Sequence, residues 1–573
     1  MSSHSPIVVP EGFTLHKENS AYILLPSDNG AFLNTVQEFN RDLSIACIRA
    51  WSERNNRDKQ AKFLQRQTQL DAKNATRKTK KRKTDGVLVH MDDESTGAQE
   101  SVGVDPASLD KVKGPDTEYR THKITILEPL SATGLRSIRY ANEIPLVKHV
   151  IANDISLDAI AAMQRNVDIN GLAPPGHSQS ASEQPNPIKD PGDSAGPSAE
   201  PRKPTVTVNE GDATALMYSQ RTAKTNVDVV DLDPYGTAAP FIDGAVQCVV
   251  DNGLLCITCT DLAVLAGNNY PEKCFANYGG MPLKAEYCHE AALRLVLHSV
   301  ATAAARYGRS ITPLLSLSID FYVRIFVQVR AAPIEVKKLA CNTAVYYVCT
   351  SCQAWHEQPL GKAIEKANES SGNVNRVYKT TVGPPTAQEC EECASKYHVA
   401  GPMWSGPLHD REFVKEVLDL VNANPTSFGT TPRMQGMLTV ASEELDVPFY
   451  FTPAKVAGFF QCNCPSLQDI SSALLNAGHS VSRSHAAAGS IKTTASQRDI
   501  HDVFRSWIKL HPVKMSNIKE ELQADFTRHP KTLTSSVKLV RYQQNPTPHW
   551  GPGTRAGGSK RKRSKEGKEE SQE

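Results

Sequence analysis

From Lys123 onward the sequence alternates short apolar runs with stretches of helical periodicity, and the apolar runs end in polar residues. The run Val227–Val230, for example, leads into Asp231-Leu232-Asp233-Pro234-Tyr235-Gly236, which has the composition of a turn. Alternation of this kind predicts a parallel sheet with helices on both faces. The polar turns are then expected to meet at the carboxyl edge of the strands, where open α/β sheets bind ligands.

The pattern also divides the chain into regions. Near Ser310 the alternation gives way to long strand patterns at 314–319 and 321–330, which predict an α+β second domain. Two polar stretches rich in Lys, Ser, Pro or Gly interrupt the first domain, and a basic stretch ends the chain. We predict an N-terminal strand and helix packing on the core (1–72), a disordered insertion (73–118), a Rossmann-like α/β core (119–309) with a disordered loop (174–204), a C-terminal α+β domain (310–545) and a disordered basic tail (546–573).

Composition excludes several classes of protein. The net charge is +2, so nucleic-acid binding cannot be argued from global charge and needs local patches. No apolar run is long enough to span a bilayer. The first 25 residues hold Glu11 and Glu18 and no Arg, which argues against a secretory signal and an Arg-rich mitochondrial presequence. We expect a soluble intracellular protein.

Four predicted strand ends carry polar groups in a set order. A carboxylate about 20 residues after the first loop suits ribose hydroxyls. The next acidic end suits an adenine amine, and the Asp-Pro-Tyr tip suits an exocyclic amine on a flat base. A turn or helix cap is the alternative for any one end alone. The absence of a Gly-x-Gly-x-x-Gly loop argues against a pyrophosphate, so the set suggests S-adenosylmethionine and an amino-methyltransferase. The four ends are Glu128–Gly134, Asn153-Asp154, Glu210–Ala213 and Asp231–Gly236.

Six of the 13 cysteines lie in closely spaced pairs, which in an intracellular protein indicates metal before disulfide. Cys349 with Cys352 and Cys390 with Cys393 form two C-x-x-C pairs that fit a tetrahedral, structural zinc site. Cys462-x-Cys464 is a weaker candidate. His398 and His409 lie near the second pair, but a His ligand would leave one Cys unused.

The combined motifs resemble the tRNA (guanine(26)-N(2))-dimethyltransferase family, from about Pro10 to Arg541 with the insertions excluded. The order of the motifs is specific, although no motif alone would be. The residues that carry the resemblance are Glu38–Ser44, Leu130–Arg139, Asn153–Ser156, Asp231–Gly236 and Gly401–Trp404.

The resemblance implies a class I S-adenosylmethionine-dependent methyltransferase that modifies the N2 amine of guanine in tRNA. Asp233 would be the catalytic carboxylate, with Pro234 as a second acceptor for the amine. Phe32 and Tyr235 would sandwich a flipped-out guanine. The cofactor-binding residues carried over by position are Arg41, Arg136, Asp154, Asp212 and Ala213.

One departure from the family concerns the loop that holds Phe32. The family usually has Phe-Tyr-Asn-Pro where this chain has Phe32-Leu33-Asn34-Thr35. The stacking ring is kept, but the rigid entry into the loop is lost. Asp231 is expected to be structural or to face the cofactor. Before the family is considered, a solvent-exposed helix position is the alternative for Arg41.

Within the C-terminal domain, residues 467–494 resemble the part of the family that grips tRNA. Arg483 and Lys492 would contact phosphates and position the RNA without reading its bases. We expect a monomer with tRNA as partner and no membrane association. The basic runs Arg77–Lys83 and Lys560–Lys565 suggest nuclear import, RNA contacts or mere solubility, and we expect nuclear residence with a mitochondrial share left open.

Two other functions remain open from the sequence. A related methyltransferase for another RNA guanine or an adenine amine would share the first domain, but is not expected to share the helix of Glu38–Ser44 or the C-terminal domain. A non-catalytic, zinc-containing RNA-binding scaffold would be expected to lose acidic strand ends, and all of them are present.

Overall fold

The computed structural model describes residues 7–27, 33–84, 118–175, 203–367, 374–512, 523–535 and 537–541. Most of the predicted insertion and loop, and all of the predicted basic tail, lie outside the described residues.

The N-terminal and central regions contain a hairpin, a long helix and the predicted alternation of strands and helices. Their elements are β1 (Phe13–Glu18), β2 (Ala21–Pro26), α1 (Glu38–Thr84), β3 (Ile124–Glu128), α2 (Leu135–Glu143), β4 (Val147–Asp154), α3 (Leu157–Ile169), β5 (Thr205–Glu210), α4 (Ala213–Ser219), β6 (Val227–Leu232), α5 (Ala239–Cys248), β7 (Val249–Cys259), α6 (Leu262–Leu265), α7 (Pro271–Tyr278), α8 (Cys288–Ala305), β8 (Arg309–Ile319) and β9 (Tyr322–Ala331).

The C-terminal region mixes short sheets with helices, as predicted for an α+β domain. Its elements are α9 (Pro333–Val336), β10 (Thr343–Cys349), β11 (Trp355–Pro359), β12 (Gly361–Ala367), β13 (Val374–Thr380), β14 (Tyr397–Trp404), α10 (Arg411–Ala423), α11 (Thr431–Glu443), α12 (Pro453–Phe460), α13 (Leu467–Asn476), β15 (Val481–Arg483), β16 (Ile491–Thr493) and α14 (Gln497–Leu510).

The central sheet has the strand order β5-β4-β3-β6-β7-β9-β8 among the described residues. The strands from β5 to β7 are parallel, and β9 and β8 are antiparallel additions. Val229 and Val230 in β6 are fully buried on opposite faces, and each such side chain contributes about 1.5–3 kcal/mol through burial. Because β3 lies between β4 and β6, the chain order reverses there, and open α/β sheets bind ligands beside this reversal.

The hairpin β8–β9 belongs to this sheet and not to a second domain. β9 pairs along its length with β7, from Gly253 opposite Val329 to Cys259 opposite Val323. The predicted boundary at residue 309 is therefore wrong, since the sheet continues to Ala331. Strand patterns without intervening helices indicated a new domain, whereas two antiparallel strands can extend a parallel sheet through a simple hairpin.

Helix α1 begins in the core and extends beyond it. Leu43, Cys47 and Trp51 are buried, whereas most side chains from Arg57 to Leu70 are exposed. The helix continues to Thr84, so the predicted start of disorder at residue 73 is wrong for 73–84. That stretch contains no Gly or Pro, and its many Lys and Arg residues are good helix formers.

Two histidines cover the free edge of β8 and join the sheet to the C-terminal region. The main-chain N–H of Ser316 donates to Nδ1 of His409 at 3.3 Å. The N–H of Ser318 donates to Nε2 of His485 at 3.1 Å. These rings occupy positions that another strand would otherwise pair with.

No helix within the described ranges combines the length and apolar character that crossing a bilayer requires.

Candidate active site

The ends of β3, β4, β5 and β6 lie side by side at the point where strand order reverses. Glu128 pairs with Ala152, Asp154 with Glu210, and Leu127 with Val230, so the four polar turns leave the sheet at a similar level. The structure therefore brings together the four strand ends that the sequence singled out.

Asp233 stands just beyond the end of β6, and its side chain is 24% exposed. Nη2 of Arg136, in the first turns of α2, donates to its Oδ2 at 2.6 Å. Burial alone would raise the pKa of Asp233, but Arg136 and Arg324 outweigh it and hold this pKa below the usual value. Asp233 is thus an ionised acceptor with access to solvent.

Asp231, two residues earlier, is completely buried. Its Oδ1 lies 2.8 Å from Nη2 of Arg324, and its Oδ2 accepts the hydroxyl of Tyr140. These partners support the structural interpretation of Asp231, because the carboxylate is enclosed by protein groups.

Asp154 organises the loop that follows β3. Its Oδ2 accepts the main-chain N–H of Ala132 at 3.0 Å, and its Oδ1 accepts that of Ser156 at 3.0 Å. Gly134 has a φ of 75°, and a Cβ at this position would lie 3.2 Å from Cγ of Met163. The loop therefore needs glycine where it enters α2.

Asp212 and Ala213 form the start of α4. Oδ1 of Asp212 accepts the N–H of Ala215 at 2.8 Å and caps the helix, while Ala213 is buried. The side-chain amide of Asn153 donates to the carbonyls of Pro129 at 2.9 Å and Gly211 at 3.0 Å. Asn153 thus ties the first and third turns together beneath the site.

Arg41 on α1 is only 6% exposed, so the alternative of a solvent-exposed helix position is wrong. Its guanidinium forms a two-pronged pair with Glu18, with Nε 2.6 Å from Oε1. Its Nη1 donates to the carbonyl of Asn34 at 3.3 Å. Burial would raise the pKa of Glu18, but Arg41 and Arg139 together hold it below the usual value. The predicted cofactor contact of Arg41 remains a prediction.

Tyr235 projects from the turn after β6 and is 84% exposed. The turn is fixed by Gly236, whose φ is 80°. The N–H of Gly236 donates to the hydroxyl of Thr260 at 2.8 Å, and its carbonyl accepts the N–H of Thr260 at 2.8 Å. The ring is therefore presented on a rigid support. Phe32, its predicted partner across the base, lies outside the described residues.

Sequence reasoning missed Arg324, which the structure brings next to the site from β9. Its Nη1 donates to the hydroxyl of Thr258 at 2.9 Å, and its Nη2 donates to that of Ser44 at 2.7 Å. A single arginine in the apolar run from Tyr322 to Val329 is the signal that could have identified it.

The four predicted cysteine ligands converge in the C-terminal region, with Cys349 and Cys390 buried. All four sulfur atoms lie within 4.8 Å of one another, with 3.4 Å between those of Cys349 and Cys393 and 3.6 Å between those of Cys352 and Cys390. Four thiolates at these separations suit one tetrahedral zinc ion.

Neither nearby histidine completes this centre. Nε2 of His398 accepts the N–H of Lys284 at 3.2 Å. His409 belongs to a separate buried cluster with Glu444 and His485.

That second cluster is a hydrogen-bond network and not a metal site. One nitrogen of each imidazole accepts a main-chain N–H of β8, so the neutral ring carries its proton on the other nitrogen. Those protonated nitrogens face Glu444, at 2.6 Å from Nδ1 of His485 and 3.5 Å from Nε2 of His409. A metal ion would need lone pairs at both atoms.

Lys492 lies in the same network, which makes its predicted phosphate contact wrong. Its Nζ is 3.1 Å from Oε2 of Glu290 and 3.0 Å from Oε1 of Glu444, and its side chain is 1% exposed. Ile491 and Lys492 are both buried, so protein covers both faces of this short strand, and two carboxylates neutralise the lysine in the interior. Nη2 of Arg483 donates to the carbonyl of Leu533 at 3.3 Å, and its phosphate contact stays a prediction.

Comparison with known proteins identifies the family. The TRM family model, described as N2,N2-dimethylguanosine tRNA methyltransferase, matches residues 12–505. The chain is 43% identical to the tRNA (guanine(26)-N(2))-dimethyltransferase of Schizosaccharomyces pombe, over 94% of this chain and 92% of that one. It is 40% identical to the Homo sapiens protein of the same name, over 94% and 77%. It is 36% identical to a Saccharomyces cerevisiae relative named as mitochondrial, over 96% and 94%.

The fold also matches a solved structure, a complex of Trm1 from Pyrococcus horikoshii with S-adenosyl-L-methionine. The TM-score is 0.56 at 23% identity, covering 86% of this chain and 99% of that one. This likeness confirms the predicted Rossmann-like class I fold. On these matches, the chain belongs to the N2,N2-dimethylguanosine tRNA methyltransferase family.

Proposed function

We propose that this protein dimethylates the N2 amine of guanine 26 in tRNA with S-adenosylmethionine as methyl donor. The observation that carries the proposal is the carboxylate of Asp233, which is held ionised by Arg136 and remains accessible beside the exposed ring of Tyr235. A flat base with an exocyclic amine fits an acceptor and an aromatic face in this arrangement. Membership of the family supports tRNA as the substrate class.

The cofactor residues that we propose are Arg41, Arg136, Asp154, Asp212 and Ala213. The donor set fits the cofactor, because carboxylates at the ends of β4 and β5 suit ribose hydroxyls and an adenine amine. When bound, S-adenosylmethionine supplies an electrophilic methyl group on a sulfonium. The chain's own residues must orient the base against it.

Asp233 and the carbonyl of Pro234 accept the two N–H groups of the guanine amine in this proposal. The nitrogen lone pair is delocalised into the ring, so the amine is a poor nucleophile. Acceptors on both N–H groups favour a more tetrahedral nitrogen and stabilise the positive charge that grows on it. Asp233 need not be a strong base, because the methylated nitrogen is acidic and loses its proton readily.

Tyr235 holds the base in place by stacking, with Phe32 proposed on the opposite face. Guanine 26 must leave its stacked position to reach the site, which costs a few kcal/mol that RNA contacts elsewhere offset. The second methylation requires the mono-methylated base to bind again with its remaining N–H toward the same acceptors. Alignment of the amine with the methyl group contributes much of the rate in such reactions.

We assign Cys349, Cys352, Cys390 and Cys393 to a structural zinc ion in the C-terminal region. The four thiols fill a tetrahedral site, which leaves no open position for catalysis. The ion would cross-link the end of β10 to the segment that precedes β14, and so fix that part of the proposed tRNA-binding surface. We further propose a monomer, with nuclear residence supported by the basic runs Arg77–Lys83 and Lys560–Lys565.

The test is methyl transfer to unmodified tRNA. The protein is incubated with labelled S-adenosylmethionine and a tRNA transcript, and the nucleosides are separated. We expect N2-methylated and N2,N2-dimethylated guanosine, and no label in a matched transcript with adenosine at position 26. Label in adenosine, or only in a guanine at another position, would show that the enzyme acts on a different RNA amine. Binding of tRNA and zinc with no transfer would instead support the non-catalytic scaffold.

A further inference from the structure

Arg324 is a fully buried charge that no motif of the family resemblance includes. It lies on β9 and makes its contacts with three different elements. Nη2 is 2.8 Å from Oδ1 of Asp231 on β6 and 2.7 Å from the hydroxyl of Ser44 on α1. Nη1 donates to the hydroxyl of Thr258 on β7 at 2.9 Å. A guanidinium enclosed in this way fixes the relative positions of its acceptors.

These contacts lie one step from the proposed catalytic carboxylate. The positive charge of Arg324 itself lowers the pKa of Asp233, and the hydroxyl of Thr258 adds to this effect. The hydroxyl of Ser44 also accepts Nη1 of Arg136, at 3.3 Å. Arg324 is therefore connected to Asp233 through Ser44 and Arg136.

Two carboxylates compete for Arg136. Its Nη2 is 2.6 Å from Asp233, and its Nη1 is 3.8 Å from Oδ2 of Asp231. Arg324 pairs with Asp231 directly, so Arg136 is available to bind Asp233. Without Arg324, Asp231 would be a buried charge lacking its main partner, a state that costs several kcal/mol. Movement of Arg136 toward Asp231 would reduce that cost.

We propose that Arg324 is a positioning residue for methyl transfer: it neutralises Asp231 and so keeps Arg136 on Asp233. The inference rests on the proposed role of Asp233. Arg324 does not touch the substrate, and acts through the alignment and charge of the acceptor that does.

Loss of Arg324 should change the acid limb of the pH–rate profile, the range in which activity falls as the solution becomes more acidic. Loss of Arg324 removes one neighbouring positive charge from Asp233 and weakens its contact with the other. Both changes make protonation of Asp233 easier, so the variant would lose activity at a higher pH than the wild type does. The charged and titratable groups that surround the carboxylate are Arg136 on α2, Asp231 on β6, and Arg324 and Tyr322 on β9, with Glu128 and Tyr140 behind Arg136 and Asp231.

The experiment compares Arg324→Met with Arg294→Met, a matched control. Arg294 is also a buried arginine paired with a carboxylate, Glu290, but it lies on α8 away from the site. Single-turnover methyl transfer to tRNA is measured from pH 5 to 9 at saturating tRNA and cofactor, together with thermal unfolding. We expect Arg324→Met to lower the rate at neutral pH roughly 100-fold and to move its acid limb upward. Arg294→Met should lower stability and leave the acid limb in place.

A double variant separates charge balance from packing. Asp231→Asn together with Arg324→Met removes both members of the buried pair, so nothing draws Arg136 from Asp233. We expect it to recover a large part of the lost rate and to return the acid limb toward the wild-type position. This variant carries the test if Arg324→Met alone does not fold.

Two results would overturn the inference. One is an unchanged acid limb with no greater loss of rate than in Arg294→Met, and the other is a double variant no faster than the single one. If the wild type itself yields no N2-methylguanosine, the proposed function fails and this inference fails with it. If the wild type is active and the Arg324 variants match the control, only the positioning role is lost.

Discussion

Asp231 and Asp233 stand two residues apart at the end of β6, and their side chains have opposite surroundings. Asp231 is 0% exposed and enclosed by Arg324 and Tyr140, whereas Asp233 is 24% exposed and bound to Arg136. A substrate amine can reach only the second carboxylate. The first is part of the support that keeps the second in place.

This contrast predicts different consequences for the two asparagine variants. Asp233→Asn should lower methyl transfer roughly 100- to 1,000-fold, the usual effect of removing one preorganised charge partner from a transition state. Its thermal stability should fall less than that of Asp231→Asn, because Asp233 is partly exposed and Asp231 remains 3.8 Å from Arg136. Asp231→Asn should lower stability first, because it leaves Arg324 without its carboxylate. Nucleoside analysis and thermal melts distinguish the two, and equal activity of Asp233→Asn and the wild type would remove Asp233 from the mechanism.

Tyr235 should act through its ring. Tyr235→Ala removes a stacking contact worth about 1–3 kcal/mol, so we expect weaker productive binding of tRNA with an unchanged fold. Tyr235→Phe keeps the ring and should retain most of the activity. Steady-state kinetics with varied tRNA measures the difference, and a phenylalanine variant as impaired as the alanine variant would assign the role to the hydroxyl.

The proposed zinc centre predicts a fixed metal content. We expect about one zinc per chain by elemental analysis, with loss of the metal in Cys349→Ser and Cys352→Ser. The control is the double variant Cys462→Ser and Cys464→Ser, which touches the other closely spaced pair and should keep its zinc. A chelator should lower the melting temperature of the wild type and of the control. Full zinc in Cys349→Ser would argue against this ligand set.

Lys492 should matter for stability and not for phosphate binding. Lys492→Met leaves Glu290 and Glu444 buried without their shared cation, which costs about 3–5 kcal/mol in comparable buried pairs. Denaturant unfolding measures that loss. The slope of tRNA affinity against salt should stay as in the wild type, since Lys492 is buried. A shallower slope in the variant would indicate that Lys492 does contact a phosphate of the tRNA.

Glu128 predicts a dependence of stability on pH. Burial raises the pKa of Glu128 from 4.5 to about 8, so the folded protein binds a proton here that the unfolded chain releases. Stability from this group is complete below about pH 4.5 and is lost as the pH rises through about 8. In Glu128→Gln this position cannot lose a proton, so it does not lower the stability of the protein as the pH rises. Its melting temperature relative to the wild type should therefore increase between those pH values, and a constant difference would contradict the assignment.

The sequence by itself determined the parts of the protein that depend on local pattern. Apolar runs with polar ends predicted the parallel strands, because buried strands must be apolar and only their ends can carry charge. The same rule placed Asp154, Asp212 and Asp233 at one edge of the sheet. Paired C-x-x-C spacing predicted that the four sulfur atoms lie together, since two residues between cysteines allow both to face one point.

Only the tertiary structure decided what depends on distant partners. The hairpin β8–β9 joined the first sheet because its apolar strands could pair with β7, an outcome that periodicity alone does not encode. Lys492 is buried because Glu290 and Glu444 meet it there, from positions far away in the chain. Arg324 reaches the site in the same way, through Asp231. A charge in a strand pattern reveals its role only when folding brings its counter-charge to it, because burial of an unpaired charge is prohibitive.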